Sequence, residues 1–220
     1  PQGGFAPDFN VKLAEEDYYI SMGEGAELLA EELSISREEQ EEFSFKSHER
    51  AVEARDSGKF NNEIVPITLE DGSILDKDSG PRNPDKEKIK SLKPAFKAEG
   101  TVTAATSSPF SIGASAMLIT SEEYAKKNGL KIRAYIEGRA VAGVNWKMFG
   151  SGPVPATEKA LEKTGLSMDD IDAIELNEAF AAQALYCIKK ANWDKNKVNL
   201  NGGAVAIGHP LGISGTRIIT

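Results

Sequence analysis

From about residue 100 onward the chain alternates apolar runs with capped helical patterns. That alternation restricts the fold more than any other feature of the sequence. "SAMLIT" (115–120) predicts a buried strand, "SEEYAKKNG" (121–129) a short helix with a Ser cap and a Gly stop, and "KIRAYIEGRAVAGV" (131–144) a long strand. "GPVPATEKALEKTG" (152–165) predicts a helix with prolines in its first turn and Gly165 just past its end. "IDAIEL" (171–176) predicts a strand, "EAFAAQALYCIKKA" (178–191) a helix, "KVNL" (197–200) a strand, and "GISGTRIIT" (212–220) opens another helix. Strands and helices in strict alternation favour an α/β layered sheet with parallel or mixed strands.

The first hundred residues have a different texture. A helix is expected over Glu24–Leu33 and a long surface helix over 34–60. Ser36 and Glu39 have capping-box spacing, and Gly58 is the stop. Phe43, Ser47, Arg50 with Ala51, and Ala54 share one helical face. "EIVPITL" (63–69) alternates as a strand does, and Pro66 places it at a sheet edge. Asp71-Gly72 marks a turn, and a polar, Pro-rich connection fills 76–95. The composition shift near 100–110 divides the chain into 1–107 and 108–220.

Charge and sulfur content narrow the function classes. The net charge is −8, which argues against non-specific nucleic-acid binding. Residues 1–100 hold 23 acidic and 13 basic side chains, giving −10, and the remainder gives +2. Arg82, Lys86, Lys88, Lys90, Lys93 and Lys97 form a basic run within the acidic half, either a solvated face or a patch for an anionic ligand. Cys187 is the single cysteine, so no internal disulfide forms. One cysteine and two histidines, with no CxxC or HxxxH pair, leave no zinc ligand set and no expected metal. No apolar run reaches the 18 or so residues of a membrane span. Pro1 is not an initiator methionine and no signal-peptide layout follows it, as in a processed product or an excised fragment.

Two segments repeat one geometry of strand, polar turn and helix. In "IDAIELNEAFAAQAL", Asn177 and Glu178 stand where a strand gives way to a helix, the place where open α/β sheets bind ligands. Asn177 is either a helix N-cap or an amide that orients a water or substrate oxygen. In "VNLNGGAVAIGHPLGISG", His209 lies between Gly208 and Pro210, and Pro210 biases its backbone toward an extended conformation. A neutral imidazole there can act as a general base or donate to an oxyanion; the alternative is a histidine satisfied within a tight loop. GxGxxG and GK[ST] spacings are absent, so the glycines form neither a dinucleotide nor a Walker loop.

Taken together these segments resemble the thiolase family. "NEAFA" (177–181) and "GGAVAIGHPLGISG" (202–215) are similar to two of its signature blocks. Residues 151–185 resemble the stretch leading into the first block, 35–67 its loop domain, and 92–109 the loop-domain exit that handles coenzyme A. The resemblance implies a thiolase-like layered α/β fold, present in part, with a mostly helical loop domain in 1–107 and part of the C-terminal half in 108–220. It implies an acyltransferase that joins or cleaves β-ketoacyl-CoA by reversible Claisen chemistry. Coenzyme A and acyl-CoA are then substrates, no prosthetic group is needed, and the parent is a cytoplasmic homodimer or homotetramer (or sits in an organelle matrix in a eukaryote). His209 matches the histidine that activates the nucleophile, and Asn177 the asparagine that holds an oxyanion-hole water. Phe96, Ala104 and Ser108 match positions lining the coenzyme A channel.

The same resemblance marks what differs. The family's nucleophilic cysteine and its CxGGG cysteine have no counterpart here, and Cys187 sits mid-helix as a packing residue. The chain is therefore expected to be a middle-to-C-terminal piece, inactive alone, with exposed sheet edges. "MGEGAE" (22–27), "TAAT" (103–106), "IGAS" (112–115) and "NWKMFGSGP" (145–153) depart from the family pattern in regions tied to the acyl and coenzyme A pockets. Two rival readings are a non-catalytic thiolase-like protein that binds acyl-CoA and a β-ketoacyl synthase relative.

Overall fold

Capping chemistry sets the helix boundaries in the computed structural model, which describes residues 9–220. A short helix α1 (Val11–Glu15) starts at Asn10, whose side chain accepts from two backbone N–H groups. Helix α2 (Met22–Glu32) opens with a capping box. The Ser21 hydroxyl accepts the Glu24 N–H at 3.2 Å, and the Glu24 carboxylate accepts the Ser21 N–H at 2.9 Å. Helix α3 (Arg37–Asp56) repeats the device with Ser36 and Glu39, as its sequence predicts.

The buried residues of α3 are mostly small or polar: Gln40, Glu41, Ser44, Ser47, His48, Ala51 and Ala54, with Phe45 the one large apolar side chain. Ser47, Ala51 and Ala54 lie on the expected face, whereas Phe43 is half-buried and Phe45 is buried instead. Small side chains on that face let neighbouring backbone approach closely, and the candidate site uses this approach.

The predicted strand over 63–69 shrinks to β1 (Ile67–Thr68), paired antiparallel with β2 (Ile74–Leu75). Pro66 precedes β1 and has no N–H for a ladder. The turn lies where expected, with Gly72 at φ +82° and the Asp71 side chain accepting the Ser73 N–H at 2.9 Å. Helix α4 (Lys86–Lys90) follows. Its C-terminal carbonyls are held by the Arg37 guanidinium, which donates to Lys90 O at 3.1 Å and Leu92 O at 2.7 Å.

Beyond residue 100 the four expected helices appear, together with an unexpected one over Ala204–Ile207, and most of the strands do not. Helix α5 (Glu122–Lys127) has its Ser121 cap, and α6 (Pro153–Thr164) ends on Gly165 in the left-handed region at φ +71°. Helices α7 (Ala181–Lys190), α8 (Ala204–Ile207) and α9 (Ser214–Ile219) complete the order.

Residues 115–120 and 131–144 form no strand, and they are not buried: Leu118, Ile136 and Val141 are 78 %, 64 % and 88 % exposed. A strand exists only where a neighbour supplies a ladder, and no described residue pairs with these runs. Residues 171–176 and 197–200 keep one parallel bridge, Ile174 to Val198.

The core centres on α7, which buries Ala181, Ala182, Ala184, Tyr186, Cys187 and Ile188 against α2, α3 and the turn Trp146–Ser151. Leu29, Val102 and Val198 are fully buried in the same region. Each stabilises the fold by about 1.5–3 kcal/mol through apolar burial. Because α7 directly follows Asn177–Phe180, the best-packed element of the chain carries one wall of the candidate site.

Candidate active site

Close packing on α3 explains the paired glycines before His209. Gly202 has φ +82°, and a Cβ there would lie 2.5 Å from the Ser47 carbonyl oxygen and 2.6 Å from the Ala51 Cβ. A Cβ on Gly203 would overlap the Glu178 carboxyl. The chain therefore runs flush between α3 and Glu178, then through α8 to His209.

His209 meets a defined partner on each ring nitrogen. Its Nδ1 lies 2.6 Å from Ser214 Oγ, and its Nε2 lies 3.3 Å from Asn177 Nδ2. The Ser214 hydroxyl donates its single proton to Pro210 O at 3.1 Å, so toward the ring it accepts. That assigns the proton to Nδ1 and leaves the Nε2 lone pair facing the Asn177 amide. Burial lowers the His209 pKa below its ordinary value, and the charge of Arg217 lowers it further. Both effects favour the neutral ring, the form able to take a proton at Nε2.

Asn177 is not a helix N-cap, which removes that alternative. The N-cap of α7 is Phe180, with no side-chain cap bond, and the Asn177 amide turns to His209 instead. Its Oδ1 is buried with no partner among the described residues. It lines a mostly apolar cavity of about 390 Å³ together with Leu29, Phe149, Pro153, Phe180 and Gln183. The Gln183 Oε1 is likewise buried and unpartnered.

Beside Asn177, Glu178 is 1 % exposed and accepts three hydrogen bonds: from Ser47 Oγ at 2.6 Å, Asn199 Nδ2 at 2.7 Å and the Val205 N–H at 3.1 Å. Burial pushes its pKa up, against the pull of those three donors. Asn199, at φ +49°, accepts from Leu176 N and donates to Leu176 O, both at 2.8 Å. Its side chain thus completes the pairing where the Ile174–Val198 bridge stops.

Two of the three residues expected along the coenzyme A channel are tied to this segment. Phe96 packs edge-to-face on Phe180, ring centres 5.6 Å apart, and lies over α2 where Gly23 has no Cβ to obstruct it. Ser108 donates its N–H to Ala179 O at 2.9 Å, next to an antiparallel bridge between Ser107 and Phe180. Ala104 is exposed at the start of the turn Ala104–Thr106, which packs on α3. The loop that carries Phe96 and Ser108 is pinned to α2 by buried Glu27, which accepts the N–H groups of Thr101 and Val102 at 2.9 Å.

The basic run does not present one open patch. Lys97 pairs with Glu31, Lys90 with Glu87, and Lys86 sits 4.6 Å over the Phe45 ring. Cys187 is fully buried on α7, its thiol 3.3 Å from Gly150 O and pushed up to about 11 by burial. It is a packing residue, as its mid-helix position predicts. Among the described residues no cluster of metal-ligating side chains forms and no helix is long and apolar enough to cross a membrane.

Sequence reasoning singled out His209 and Asn177 but missed Ser214, Asn199 and Ser47. Ser214 carried a usable signal, since it lies five residues after a histidine in a Gly/Pro loop and within reach of Nδ1. Ser47 reaches Glu178 across 131 residues of sequence and Asn199 reaches it across 21, which no local pattern encodes.

Comparison with known proteins gives the family. Residues 7–123 match the family model for the thiolase N-terminal domain, and residues 130–220 that for the thiolase C-terminal domain. The 3-ketoacyl-CoA thiolase of Vibrio parahaemolyticus is 53% identical over 208 residues, covering 90% of this chain and 53% of that protein. The 3-ketoacyl-CoA thiolase of Shewanella loihica is 50% identical over 225 residues, covering 97% and 58%. The chain thus spans about half the length of the curated relatives it matches.

Among solved structures, Bacillus anthracis acetyl-CoA acetyltransferase superposes with a TM-score of 0.89 at 46% identity, covering 91% of this chain and 52% of that one. Human mitochondrial 3-ketoacyl-CoA thiolase in complex with CoA superposes at 0.90 and 39% identity, covering 99% and 57%. With its partial α/β fold, its helical first half and both signature loops in contact, the chain belongs to the thiolase family.

Proposed function

We propose that this chain supplies the His209–Asn177 half of a thiolase active site that transfers acyl groups between coenzyme A thioesters. The reaction is reversible Claisen condensation, or in the other direction thiolytic cleavage of a β-ketoacyl-CoA. One observation carries the reading: Asn177 Nδ2 and His209 Nε2 approach to 3.3 Å, with the other ring nitrogen fixed by Ser214.

The chemistry follows from those atoms. Nε2 takes the proton of a nucleophilic thiol, and the resulting imidazolium supports the thiolate. The thiolate attacks a thioester carbonyl to give a tetrahedral oxyanion, which the protonated Nε2 is placed to stabilise. Its collapse breaks the carbon–sulfur bond to coenzyme A, the departing thiolate takes the Nε2 proton, and the acyl group stays on the attacking sulfur. Asn177 Oδ1, which no described side chain satisfies, is the acceptor for a water whose own proton faces a second thioester oxygen, where an enolate develops. The thiol is not Cys187, which is buried and strongly disfavours the thiolate. Phe96, Ala104 and Ser108 line the path of the coenzyme A arm, Ser108 with its hydroxyl toward the pantetheine. Coenzyme A and acyl-CoA are the small-molecule partners, and no prosthetic group or metal takes part.

The division into a loop-domain part, 1–107, and a C-terminal part, 108–220, puts Phe96 and Ala104 on one side and Ser108, Asn177 and His209 on the other. The working assembly is a homodimer or homotetramer in the cytoplasm. The buried Cys187 also fits a second reading, a thiolase-like protein that binds acyl-CoA without turnover.

Asn177→Asp separates the readings. With a nucleophilic cysteine in the same site, acylation by acetyl-CoA should stay within a few-fold of the parent. Condensation should slow by about 10²–10³-fold, because the new carboxylate places a negative charge beside the developing enolate, an effect comparable with the loss of one oxyanion donor. Single-turnover measurement of the two half-reactions checks this, and equal loss in both would assign Asn177 a structural role only.

A further inference from the structure

Glu178 joins three parts of the molecule through one buried carboxyl. It follows Asn177 directly in sequence. Its Oε2 accepts the N–H of Val205, in the helix that leads to His209, and the hydroxyl of Ser47 on α3. Its Oε1 accepts from Asn199, whose amide is itself locked to Leu176 N and O. Ser47 Oγ in turn accepts the Gly203 N–H at 3.1 Å, so its own proton is committed to Glu178.

Every group facing the carboxyl is a donor, which an ionised carboxylate satisfies and an amide cannot. A Gln side chain would turn an NH₂ either on the Val205 N–H and Ser47 pair or on Asn199 Nδ2. Flipping Asn199 to accommodate it would break its pairing with Leu176.

We propose that Glu178 is a positioning residue: its buried carboxylate fixes the Asn177 segment against the Gly203–His209 loop, so that Asn177 Nδ2 meets the His209 Nε2 lone pair. The inference rests on the reading of Asn177 and His209 as the reacting pair, but its test reads their geometry directly.

The chain has two histidines, His48 and His209, so each can be titrated by NMR of ¹⁵N-histidine-labelled protein. An amide donor at Nε2 stabilises the neutral ring. In Glu178→Gln that donor is displaced, and the proton affinity of His209 should rise about two- to tenfold, the span of one ordinary hydrogen bond. Ser47→Ala keeps the carboxylate and cuts its tie to α3; it should move His209 in the same direction by less. His48, buried on α3 with its pKa lowered to about 4, should keep its midpoint in Glu178→Gln and so report an intact fold.

An unchanged His209 midpoint in both variants overturns the proposal, even where thermal stability falls. So does a lower one, since losing a nearby negative charge without any loss of position would depress it. If Glu178→Gln does not fold, Ser47→Ala decides alone. A null titration in variants that still catalyse acyl transfer removes the brace and leaves the role of the pair intact. A raised midpoint with no acyl transfer even where a nucleophilic cysteine shares the site removes the catalytic reading and leaves the brace.

Discussion

His209→Ala lowers acyl-enzyme formation by about 10³-fold or more where a nucleophilic cysteine shares the site, because it removes the general base and an oxyanion partner together. The measurement is burst labelling with radiolabelled acetyl-CoA: the parent should label to one acyl group per site within the mixing time, and the variant should not. The same ring sets the pH dependence. Burial, then Arg217, lowers its pKa below the ordinary 6.5, so the neutral base persists to lower pH than a free imidazole would allow. Acylation should therefore hold steady across neutral pH and fall only as pH drops through that lowered value. A midpoint above 6.5 would contradict the burial seen at His209.

Gly203→Ala gives a large loss of stability. The backbone of Gly203 is extended, at φ −139°, so any residue could adopt its conformation, and the cost is overlap alone. The new methyl would fall on the Glu178 carboxyl, which is 1 % exposed and held by three donors, so neither partner has room to yield. Overpacking and disturbed hydrogen bonds to a buried charge together cost about 3–5 kcal/mol. For a chain of this size that lowers the melting temperature by roughly 10 °C, readable by circular dichroism. Gly212→Ala is the control, since a Cβ at Gly212 meets nothing within 4 Å. Equal melting temperatures for the two variants would show that the Gly203–Glu178 contact is not tight.

Local chemistry was legible in the sequence, and partnership was not. The Ser36–Glu39 capping box, the Ser121 cap, the Asp71-Gly72 turn and the Gly165 stop are each fixed by residues within four positions, and each appears where the pattern places it. The apolar runs at 115–120 and 131–144 have strand composition, but a strand needs a neighbouring ladder, and composition cannot say whether one is present. Short polar motifs were ambiguous for a related reason. Asn177 stands where an N-cap would, and only the fold turns its amide toward a histidine 32 residues away. The brace of Ser47, Glu178 and Asn199 was hidden: helical spacing puts Ser47 on the inner face of α3 but says nothing of a carboxylate 131 residues on.

The central claim is that Asn177 and His209 face a coenzyme A thioester lodged between Phe96 and Ser108. Acetyl-CoA titrated into the ¹⁵N-histidine-labelled chain tests it most directly. The account predicts saturable movement of the His209 ring resonances, with His48, buried on α3 and outside the cavity that Asn177 lines, unmoved. His209 resonances that stay fixed at saturating acetyl-CoA, or movement confined to His48, would contradict it.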